Sequence, residues 1–302
     1  MAVYAYKKVP VYARLAEKEQ LNVEELDFDK LPIVDKSLFL SSGASGLSSE
    51  FIGKYMKNEL IWTRTSGSTG KVSEVYWDKI DMRKSLFSLW CYRKKYYNIL
   101  PSDNLCYFMM ADAGDKKIYQ TENIMAFSRQ CLYDGSLLEV YMKILAFKPV
   151  WMILQPSIAI MLCNLIENKK MEIPSTLRYI EFTGEALEKR VREKVEIVFQ
   201  CVTASQYGTK EVNSIAYECP EGNMHIMSDN VFVEVIQNGE LCITSLKNRA
   251  MPYIRFNVED RGMIRAGEKC SCGNTNDILV LNGCRKNDWI KMRDGKNFIH
   301  MF

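Results

Sequence analysis

The sequence has little of several features that would narrow its function at once. It has two histidines among 302 residues and a net charge of only +3. So few histidines argue against a histidine general base, and without a long basic run we expect no nucleic-acid partner. No stretch reaches the roughly 18 consecutive apolar residues of a membrane-spanning helix, and the first residues lack the apolar core of a signal peptide. We therefore expect no membrane association and a cytoplasmic location.

The composition is that of a globular protein with a substantial core, because 47% of the residues are hydrophobic and 25% are charged. Internal repeats and low-complexity linkers are absent. Six of the ten cysteines lie in apolar contexts, where a free thiol packs like a small hydrophobic group. We expect reduced thiols rather than a disulfide framework at these positions: Cys91, Cys106, Cys131, Cys163, Cys201 and Cys242.

The middle of the chain predicts alternating strands and helices. Residues 79–97 carry apolar residues at helical spacing and predict a helix. Buried strands are predicted at 104–110, 149–154, 177–184 and 196–202, and helices at 136–147, 157–170 and 185–195. This alternation is typical of a mainly parallel sheet covered by helices. Ligands bind beyond the carboxyl ends of the strands in such sheets, where residues 182–187 and 204–211 would lie.

The pattern changes after about residue 212. Short alternating segments replace the helices, and Asn238-Gly239 and Asp294-Gly295 are typical hairpin turns. We therefore predict an α/β core over residues 1–212 and a mostly antiparallel β subdomain over 213–285. Residues 286–302 would form a hinge and the start of a further domain.

A loop crowded with small and hydroxylated residues, TRTSGSTGK, occupies residues 63–71. Glycines let backbone N–H groups approach an anion closely, and Ser and Thr add donors. The loop is not a P-loop, because that pattern needs Gly at Thr65 and Ser or Thr at Val72. From its residues alone it is either a different phosphate loop or a flexible linker.

Five polar motifs occur in a fixed order: TSGSTGK, FTGEAL, YGTKE, RFNVED and NGCRKNDWIK. In this order they resemble the adenylate-forming superfamily of acyl-CoA synthetases and peptide-synthetase adenylation domains. LPIVDK, QPS, TSLKNRAMPYIRF and CSCG look most like the phenylacetate–CoA ligase branch. The resemblance covers residues 31–302 and implies an α/β fold, that of the large N-terminal domain of these enzymes, with parallel-rich sheets and an antiparallel β subdomain.

The resemblance implies an acid–thiol ligase. Such an enzyme uses ATP to convert a small carboxylic acid into an acyl-AMP, then transfers the acyl group to CoA or to the phosphopantetheine thiol of a carrier protein. Two alternatives remain: a non-catalytic or regulatory nucleotide-binding module, and a stand-alone adenylating enzyme that acts with a partner protein. A homodimer is a further expectation.

The resemblance also implies roles for individual residues. The loop would wrap the β- and γ-phosphates, Gly184 and Glu185 would lie along the adenine, and Tyr207 would stack on it. The alternative for residues 183–185 is a helix N-terminus, and for Tyr207 a core tyrosine. The full nucleotide-binding set is Thr65, Ser66, Gly67, Ser68, Thr69, Gly70, Lys71, Gly184, Glu185, Tyr207, Gly208, Thr209, Asp260 and Arg285.

Lys71, Lys210 and Glu211 are the candidate catalytic residues. Glu211 would hold Mg²⁺, since a hard cation that bridges phosphates prefers carboxylate oxygen. Asp260 would accept both ribose hydroxyls, the alternative being a surface turn, and Arg285 would reach the ribose or remain solvated. Lys210 stands where the family has a hydroxyl facing the α-phosphate. The family's catalytic lysine belongs to a C-terminal domain that we expect to be missing here, and Lys210 would partly replace it.

A separate set of residues predicts a zinc site. Cys219 and His225 are followed by Cys270 and Cys272 after a long interval. Three thiolates and one imidazole complete a tetrahedral Zn²⁺ shell with no open position, which is typical of a structural site. Some members of the phenylacetate–CoA ligase branch have a similar set. The alternative is four free thiol and imidazole groups.

Overall fold

A computed structural model describes residues 1–40, 43–64, 73–109, 117–132 and 136–282, and the backbone of two short strands near the end. The chain forms two compact units. The first contains Met1–Leu89, Gly208–Tyr217 and Asn223–Phe302, and the second contains Trp90–Tyr207 and Glu218–Gly222.

The first unit begins with short helices and a hairpin. Their bounds are α1 (Ala2–Lys8), α2 (Pro10–Lys18), α3 (Ser37–Leu40), α4 (Ile52–Met56), β1 (Ile61–Arg64) and β2 (Glu74–Trp77). The long helix α5 (Lys79–Tyr97) follows, and its residues from Trp90 onward belong to the second unit. Proline at the first position of α2 costs no backbone hydrogen bond, because the first N–H of a helix has no partner within the helix. The buried Tyr12 of α2 accepts a hydrogen bond on its hydroxyl from the Ile254 amide at 2.8 Å. Helix α2 is thereby fixed to the segment around Ile254.

The second unit is built on a parallel sheet. Its elements are β3 (Leu105–Met109), β4 (Ile118–Gln120), β5 (Ile124–Ser128), α6 (Leu137–Phe147), β6 (Trp151–Leu154), α7 (Pro156–Lys169), β7 (Tyr179–Phe182), α8 (Lys189–Phe199) and β8 (Val202–Thr209). The strand order is β8-β7-β6-β3-β5-β4, and the pairs are parallel except that β4 runs antiparallel to β5. All four residues of β7 are buried. A strand covered on both faces explains this continuous burial.

The rest of the first unit is an antiparallel sheet. Its strands are β9 (Asn213–Glu218), β10 (Met224–Ile226), β11 (Val231–Val235), β12 (Glu240–Ser245), β13 (Phe256–Arg265) and β14 (Ile278–Leu281). Two further strands, β15 (Trp289–Lys291) and β16 (Asn297–Ile299), form a separate two-stranded sheet. The order β11-β12-β13-β14-β10-β9 forms one run, and β15 pairs with β16. Gly262 permits a close approach of β13 to β14, because a Cβ there would lie 2.8 Å from the Val280 carbonyl oxygen.

The predicted α/β class with an added antiparallel region is confirmed, as are the helix over 79–97 and the hairpin at Asn238-Gly239. The strand predicted at 196–202 is wrong, because α8 continues to Phe199 and the strand begins at Val202. Amphipathic packing extended the helix through a β-branched segment. The second predicted hairpin turn, Asp294-Gly295, lies outside the described residues, and the predicted domain boundaries stay a prediction. Among the described residues, no helix is long and apolar enough to cross a membrane.

Candidate functional site

The carboxyl ends of β7 and β8 bring two of the motifs together. The two strands are parallel neighbours, with Phe182 opposite Ser205. Just beyond them the Thr183 hydroxyl donates a hydrogen bond to the Gln206 side-chain oxygen at 2.9 Å. We call the ends of these strands, with residues 183–185 and 206–211 that extend from them, the β7–β8 edge. It is the edge at which a parallel sheet binds ligands.

Glu185 is held by the start of α7. Its carboxylate accepts hydrogen bonds from the Ser157 amide at 3.0 Å and the Ser157 hydroxyl at 2.8 Å, and Arg129 donates a third at 3.3 Å. A carboxylate is stabilised at a helix N-terminus by the N–H groups and the helix dipole. These contacts fix the turn, in which Gly184 adopts a φ of 81°. The Glu185 side chain is therefore committed to holding this turn.

The alternative that residues 183–185 begin a helix is wrong, because α8 begins only at Lys189, with Glu188 at the N-cap position. The predicted helix start at residue 185 fails for the same reason. Gly184 in the left-handed region breaks the chain direction here. The turn therefore presents backbone at the carboxyl end of β7.

Tyr207, Gly208 and Thr209 complete β8 and are partly buried. The Thr209 hydroxyl oxygen is buried and has no hydrogen-bond partner within the described part of the chain. A buried hydroxyl without a partner costs free energy, on the order of 1–3 kcal/mol. Thr209 thus offers a hydrogen-bonding group that a ligand at this edge could satisfy.

Lys210 and Glu211 lie in the turn between β8 and β9. The Lys210 side chain is exposed, whereas its carbonyl accepts a hydrogen bond from the Trp77 indole at 3.0 Å. Glu211 is 7% exposed. Its charge adds to burial in raising the pKa of Tyr253 well above the ordinary tyrosine value. The turn therefore carries a buried carboxylate next to an exposed ammonium group.

Asp260 lies on β13 directly after an irregularity of the strand. The pairing of β12 with β13 shifts register between Glu240 and Cys242, and Glu259 has a φ of 63°. The Asn257 side chain stabilises this conformation by accepting a hydrogen bond from the Glu259 amide at 2.8 Å. Bulges of this kind re-aim a side chain, and Asp260 is partly buried at this point.

Two of the predicted groups lie outside the described residues. They are the loop residues from Thr65 to Lys71 and the single residue Arg285. The strands on either side of the loop are described: β1 and β2 pair antiparallel, with Arg64 opposite Glu74. In sequence, the predicted loop thus lies between two antiparallel strands.

Cys219, His225, Cys270 and Cys272 come together, and we call them the Cys/His cluster. Their ligand atoms all lie within 4.8 Å of one another. The Cys272 sulfur is 3.3 Å from Nε2 of His225, close to the roughly 3.5 Å edge of a tetrahedron with Zn–S and Zn–N distances of about 2.3 and 2.0 Å. Cys219 and His225 are buried. The sequence prediction that these four residues form one group is consistent with this geometry.

The hydrogen bonds around the cluster fix the histidine tautomer. Nδ1 of His225 is 2.9 Å from the Asn276 carbonyl oxygen. A carbonyl only accepts, so Nδ1 carries the proton and Nε2 of the neutral ring presents a lone pair to the sulfur atoms. A metal-bound histidine is oriented in this way by a carbonyl behind it. The donor set and its orientation therefore fit a metal ion.

The Cys270 sulfur is surrounded by donors. The Cys272 amide contributes most to lowering the pKa of Cys270 to about 6, burial opposes it with the second-largest effect, and the Asn223 side chain lowers the pKa further. Asn223 donates to this sulfur at 3.4 Å and accepts from Arg265 at 2.9 Å. The position therefore favours a thiolate, the form that binds metals.

The residues that support these sites were not predicted. Ser157 belongs to the QPS motif, but nothing in that motif links it to Glu185. Asn223 and Asn276 hold two members of the Cys/His cluster. Asparagines near glycines predict turns. Asparagines in turns close to the candidate ligands were therefore the signal from which Asn223 and Asn276 could have been predicted.

Known proteins resemble this chain in structure rather than in sequence. No family profile matches the chain, and no curated protein matches its sequence. One solved structure, 2-hydroxyisobutyryl-CoA ligase in the postadenylation state with R3-HIB-AMP, aligns with a TM-score of 0.80 at 18% identity, over 99% of this chain and 68% of that one. An open conformation of the same ligase with 2-HIB-AMP and CoA gives 0.78 at 18% identity, over 98% and 75%.

The amide bond synthetase McbA from Marinactinospora thermotolerans is similar over a smaller part. It aligns with a TM-score of 0.52 at 16% identity, over 80% of this chain and 51% of that one. The chain thus has the fold of the adenylate-forming enzymes, as the motif order predicts. These neighbours do not single out the phenylacetate–CoA ligase branch, which stays a prediction.

Proposed function

We propose that this chain adenylates a carboxylic acid with ATP and transfers the acyl group to a thiol. The observation that carries the proposal is the placement of the FTGEAL and YGTKE motifs at the carboxyl ends of two adjacent parallel strands, in a fold shared with a CoA ligase captured with an acyl-AMP. The acceptor is CoA or the phosphopantetheine thiol of a carrier protein.

The reaction has two balanced steps. A carboxylate oxygen of the acid attacks the α-phosphorus of ATP, the bond to the bridging oxygen breaks, and pyrophosphate leaves with its electron pair. A thiolate then attacks the acyl carbon, and AMP leaves. Catalysis of the first step consists of positioning the reactants and stabilising charge on the phosphates.

The chain's own residues supply this positioning. The turn at Gly184 and Glu185 would border the adenine and Tyr207 would stack on it, while the buried Thr209 hydroxyl would find its missing partner on the nucleotide. Asp260 would accept the ribose hydroxyls. Glu211 would hold Mg²⁺, which supplies charge neutralisation on the phosphate oxygens when it is bound.

Exchange of labelled pyrophosphate into ATP tests the proposal. The purified chain is assayed with a panel of aliphatic, hydroxylated and aromatic carboxylic acids, and calorimetry measures AMP binding in parallel. We expect AMP affinity in the micromolar to millimolar range and exchange with at least one acid class. Nucleotide binding without any exchange would indicate a binding module, and the absence of both would contradict the proposal. Thioester formation with CoA or with a phosphopantetheinylated carrier then identifies the acceptor.

We also propose that the Cys/His cluster holds one structural zinc ion. The proposal is supported by the tetrahedral donor set, by the lone pair of His225 facing the sulfurs and by the thiolate-favouring surroundings of Cys270. With four protein ligands the ion has no open position, so it would stabilise the fold and take no part in adenylation. The segments it would join are the β9–β10 connection, β10 itself and the turn before β14.

Metal analysis tests the zinc site. Protein purified without added zinc should contain about one equivalent per chain, and a chelator should remove it with a loss of thermal stability. A fully folded, metal-free protein in which the three thiols of the cluster react freely would contradict the site. Zinc content that follows the four residues while pyrophosphate exchange persists would separate this site from the catalytic one.

A further inference from the structure

The turn that carries Glu211 is held by the two elements that follow the predicted phosphate loop. Trp77, the last residue of β2, is 1% exposed and donates its indole N–H to the Lys210 carbonyl at 3.0 Å. On the other side of the turn, Asn213 donates its side-chain amide to the Ser85 hydroxyl of α5 at 2.6 Å. β2 and α5, which are consecutive in sequence, therefore each form a hydrogen bond to one end of this turn.

The indole bond acts directly on the orientation of Glu211. The carbonyl of Lys210 and the amide nitrogen of Glu211 belong to one planar peptide unit. Fixing the carbonyl oxygen fixes the plane, and with it the direction in which the Glu211 side chain leaves the backbone. Because a glutamate is long, a small rotation of this plane moves its carboxylate by a large distance.

β2 and α5 are themselves held by further hydrogen bonds. The Tyr76 carbonyl, one residue before Trp77, accepts a hydrogen bond from the buried Asn248 at 3.1 Å. At the start of α5 the Arg249 guanidinium forms a two-pronged ion pair with the buried Asp81, at 2.9 and 3.0 Å. A bidentate contact of this type adds geometric specificity to the interaction energy. Residues 248–249 of the TSLKNRAMPYIRF motif thus hold β2 and α5 in place.

We propose that Trp77 is a positioning residue that fixes the direction of the Glu211 carboxylate, so that this carboxylate holds the magnesium ion of a magnesium–nucleoside triphosphate. This inference rests on the proposed function. The indole N–H is a direct hydrogen-bonded link between β2 and the carboxylate-bearing turn. Its loss would affect the metal–triphosphate complex and leave binding of a magnesium-free nucleotide unchanged.

Trp77→Phe tests the inference, because it keeps an aromatic ring and removes only the donor and part of the volume. Trp151→Phe is the matched control: Trp151 is also 1% exposed, and its indole nitrogen has no hydrogen-bond partner in the part of the chain that the structure describes. For each variant, ATP binding is measured against magnesium concentration, and AMP binding is measured in chelator. We expect the apparent magnesium affinity to fall about 3- to 10-fold in Trp77→Phe, as for the loss of one hydrogen bond, with both other measurements close to wild type.

A uniform loss of ATP and AMP affinity in Trp77→Phe, or a magnesium dependence equal to that of Trp151→Phe, would overturn the inference. If the wild-type chain binds no nucleotide at all, the proposed function fails and takes the inference with it. Circular dichroism reports whether Trp77→Phe folds. If it does not fold, Ser85→Ala is tested instead, because it removes the second hydrogen bond to the turn. A selective loss of magnesium affinity in this variant supports the inference, and an unchanged magnesium affinity overturns it.

Discussion

The Cys/His cluster and the β7–β8 edge differ in how far the chain itself completes each site. In the cluster the four ligand atoms already lie within 4.8 Å of one another, and the imidazole is oriented by a carbonyl behind it. At the β7–β8 edge the Thr209 hydroxyl is buried without a partner among the described residues. A complete set of donors suits a permanently bound ion, whereas an unpaired buried group suits a ligand that binds reversibly.

This contrast has a thermodynamic consequence. Removing part of a permanent site leaves the remaining buried ligands uncompensated, so the free energy of unfolding falls. Removing a group that awaits a substrate lowers affinity with little effect on stability, since the free protein gains nothing from it. Variants at the two sites should therefore separate stability from binding.

The largest effect is expected from a ligand of the cluster. His225→Ala should abolish zinc binding and lower the free energy of unfolding by more than about 3 kcal/mol, because structural zinc contributes folding free energy directly. Metal content and denaturant unfolding measure the two effects. Cys91→Ser, at an exposed cysteine of α5, is the control and should change neither. Retention of one zinc by His225→Ala would break the comparison.

Thiol reactivity sharpens the same contrast between the cluster and the core. After zinc removal, the Cys270 pKa of about 6 predicts a reactive thiolate at pH 7. Burial raises the pKa of Cys163, Cys201 and Cys242 to about 12, so these thiols should stay protonated at pH 8. Alkylation followed by peptide mapping measures both. Because its folded pKa is lowered, Cys270 stabilises the metal-free fold above the unfolded pKa of about 8.5, and this contribution is lost as pH falls through about 6.

Asp260→Ala should affect binding rather than folding. If the carboxylate accepts the ribose hydroxyls, AMP affinity should fall by about 1–3 kcal/mol, the cost of leaving those groups unpaired. Calorimetry against AMP measures the loss. Glu268→Ala, which removes a surface carboxylate of the same unit that pairs only with Arg265 in the described chain, should leave affinity unchanged. Equal AMP affinity in wild type and Asp260→Ala would exclude the ribose role.

Thr209→Val gives a smaller and more selective effect. The hydroxyl has no partner among the described residues, so its removal should leave stability unchanged or raise it, while nucleotide affinity falls by about 1 kcal/mol. Thr244→Val is the matched control, because its buried hydroxyl accepts a hydrogen bond from the Arg255 amide at 2.9 Å. That variant should lose stability and keep affinity. Two variants with the same outcome would remove the distinction between the two kinds of site.

The sequence predicted the elements whose signals are local or periodic. The helix over 79–97 follows from its spacing, and the four members of the Cys/His cluster follow from residue type, although they lie far apart along the chain. It did not predict β4 and β10, which contain three residues each. Strands this short carry too few alternations to stand out, and pairing with a neighbour decides them.

Contacts between distant residues explain what the sequence could not supply for the β7–β8 edge. Glu185 matches a motif, but its partner Ser157 lies at the start of α7. The indole of Trp77 donates to the Lys210 carbonyl across more than a hundred residues of sequence. Every residue has a backbone carbonyl, so the residue type of the acceptor does not indicate that it accepts such a hydrogen bond. The supporting contacts of a site therefore depend on the folded arrangement, while its reacting groups can be predicted from motifs.

The smallest effect is expected at Lys210. Its carbonyl is fixed by Trp77 and its side chain is exposed, so the ammonium group can reach a ligand without disturbing the turn. If it contacts the α-phosphate, Lys210→Thr replaces a charge-assisted bond by a neutral one and should slow pyrophosphate exchange about 3- to 10-fold. AMP affinity should fall by a similar factor while adenosine affinity stays unchanged, because adenosine lacks the phosphate.

Two variants serve as controls. Lys210→Arg should retain most of the exchange activity, and Lys189→Thr, at a lysine with 89% of its side chain exposed, should retain all of it. An exchange rate that is unchanged or raised in Lys210→Thr would show that the side chain turns to solvent. If the wild type shows no exchange, the role of Lys210 is decided by binding alone: the ratio of AMP to adenosine affinity is compared between the wild type and Lys210→Thr.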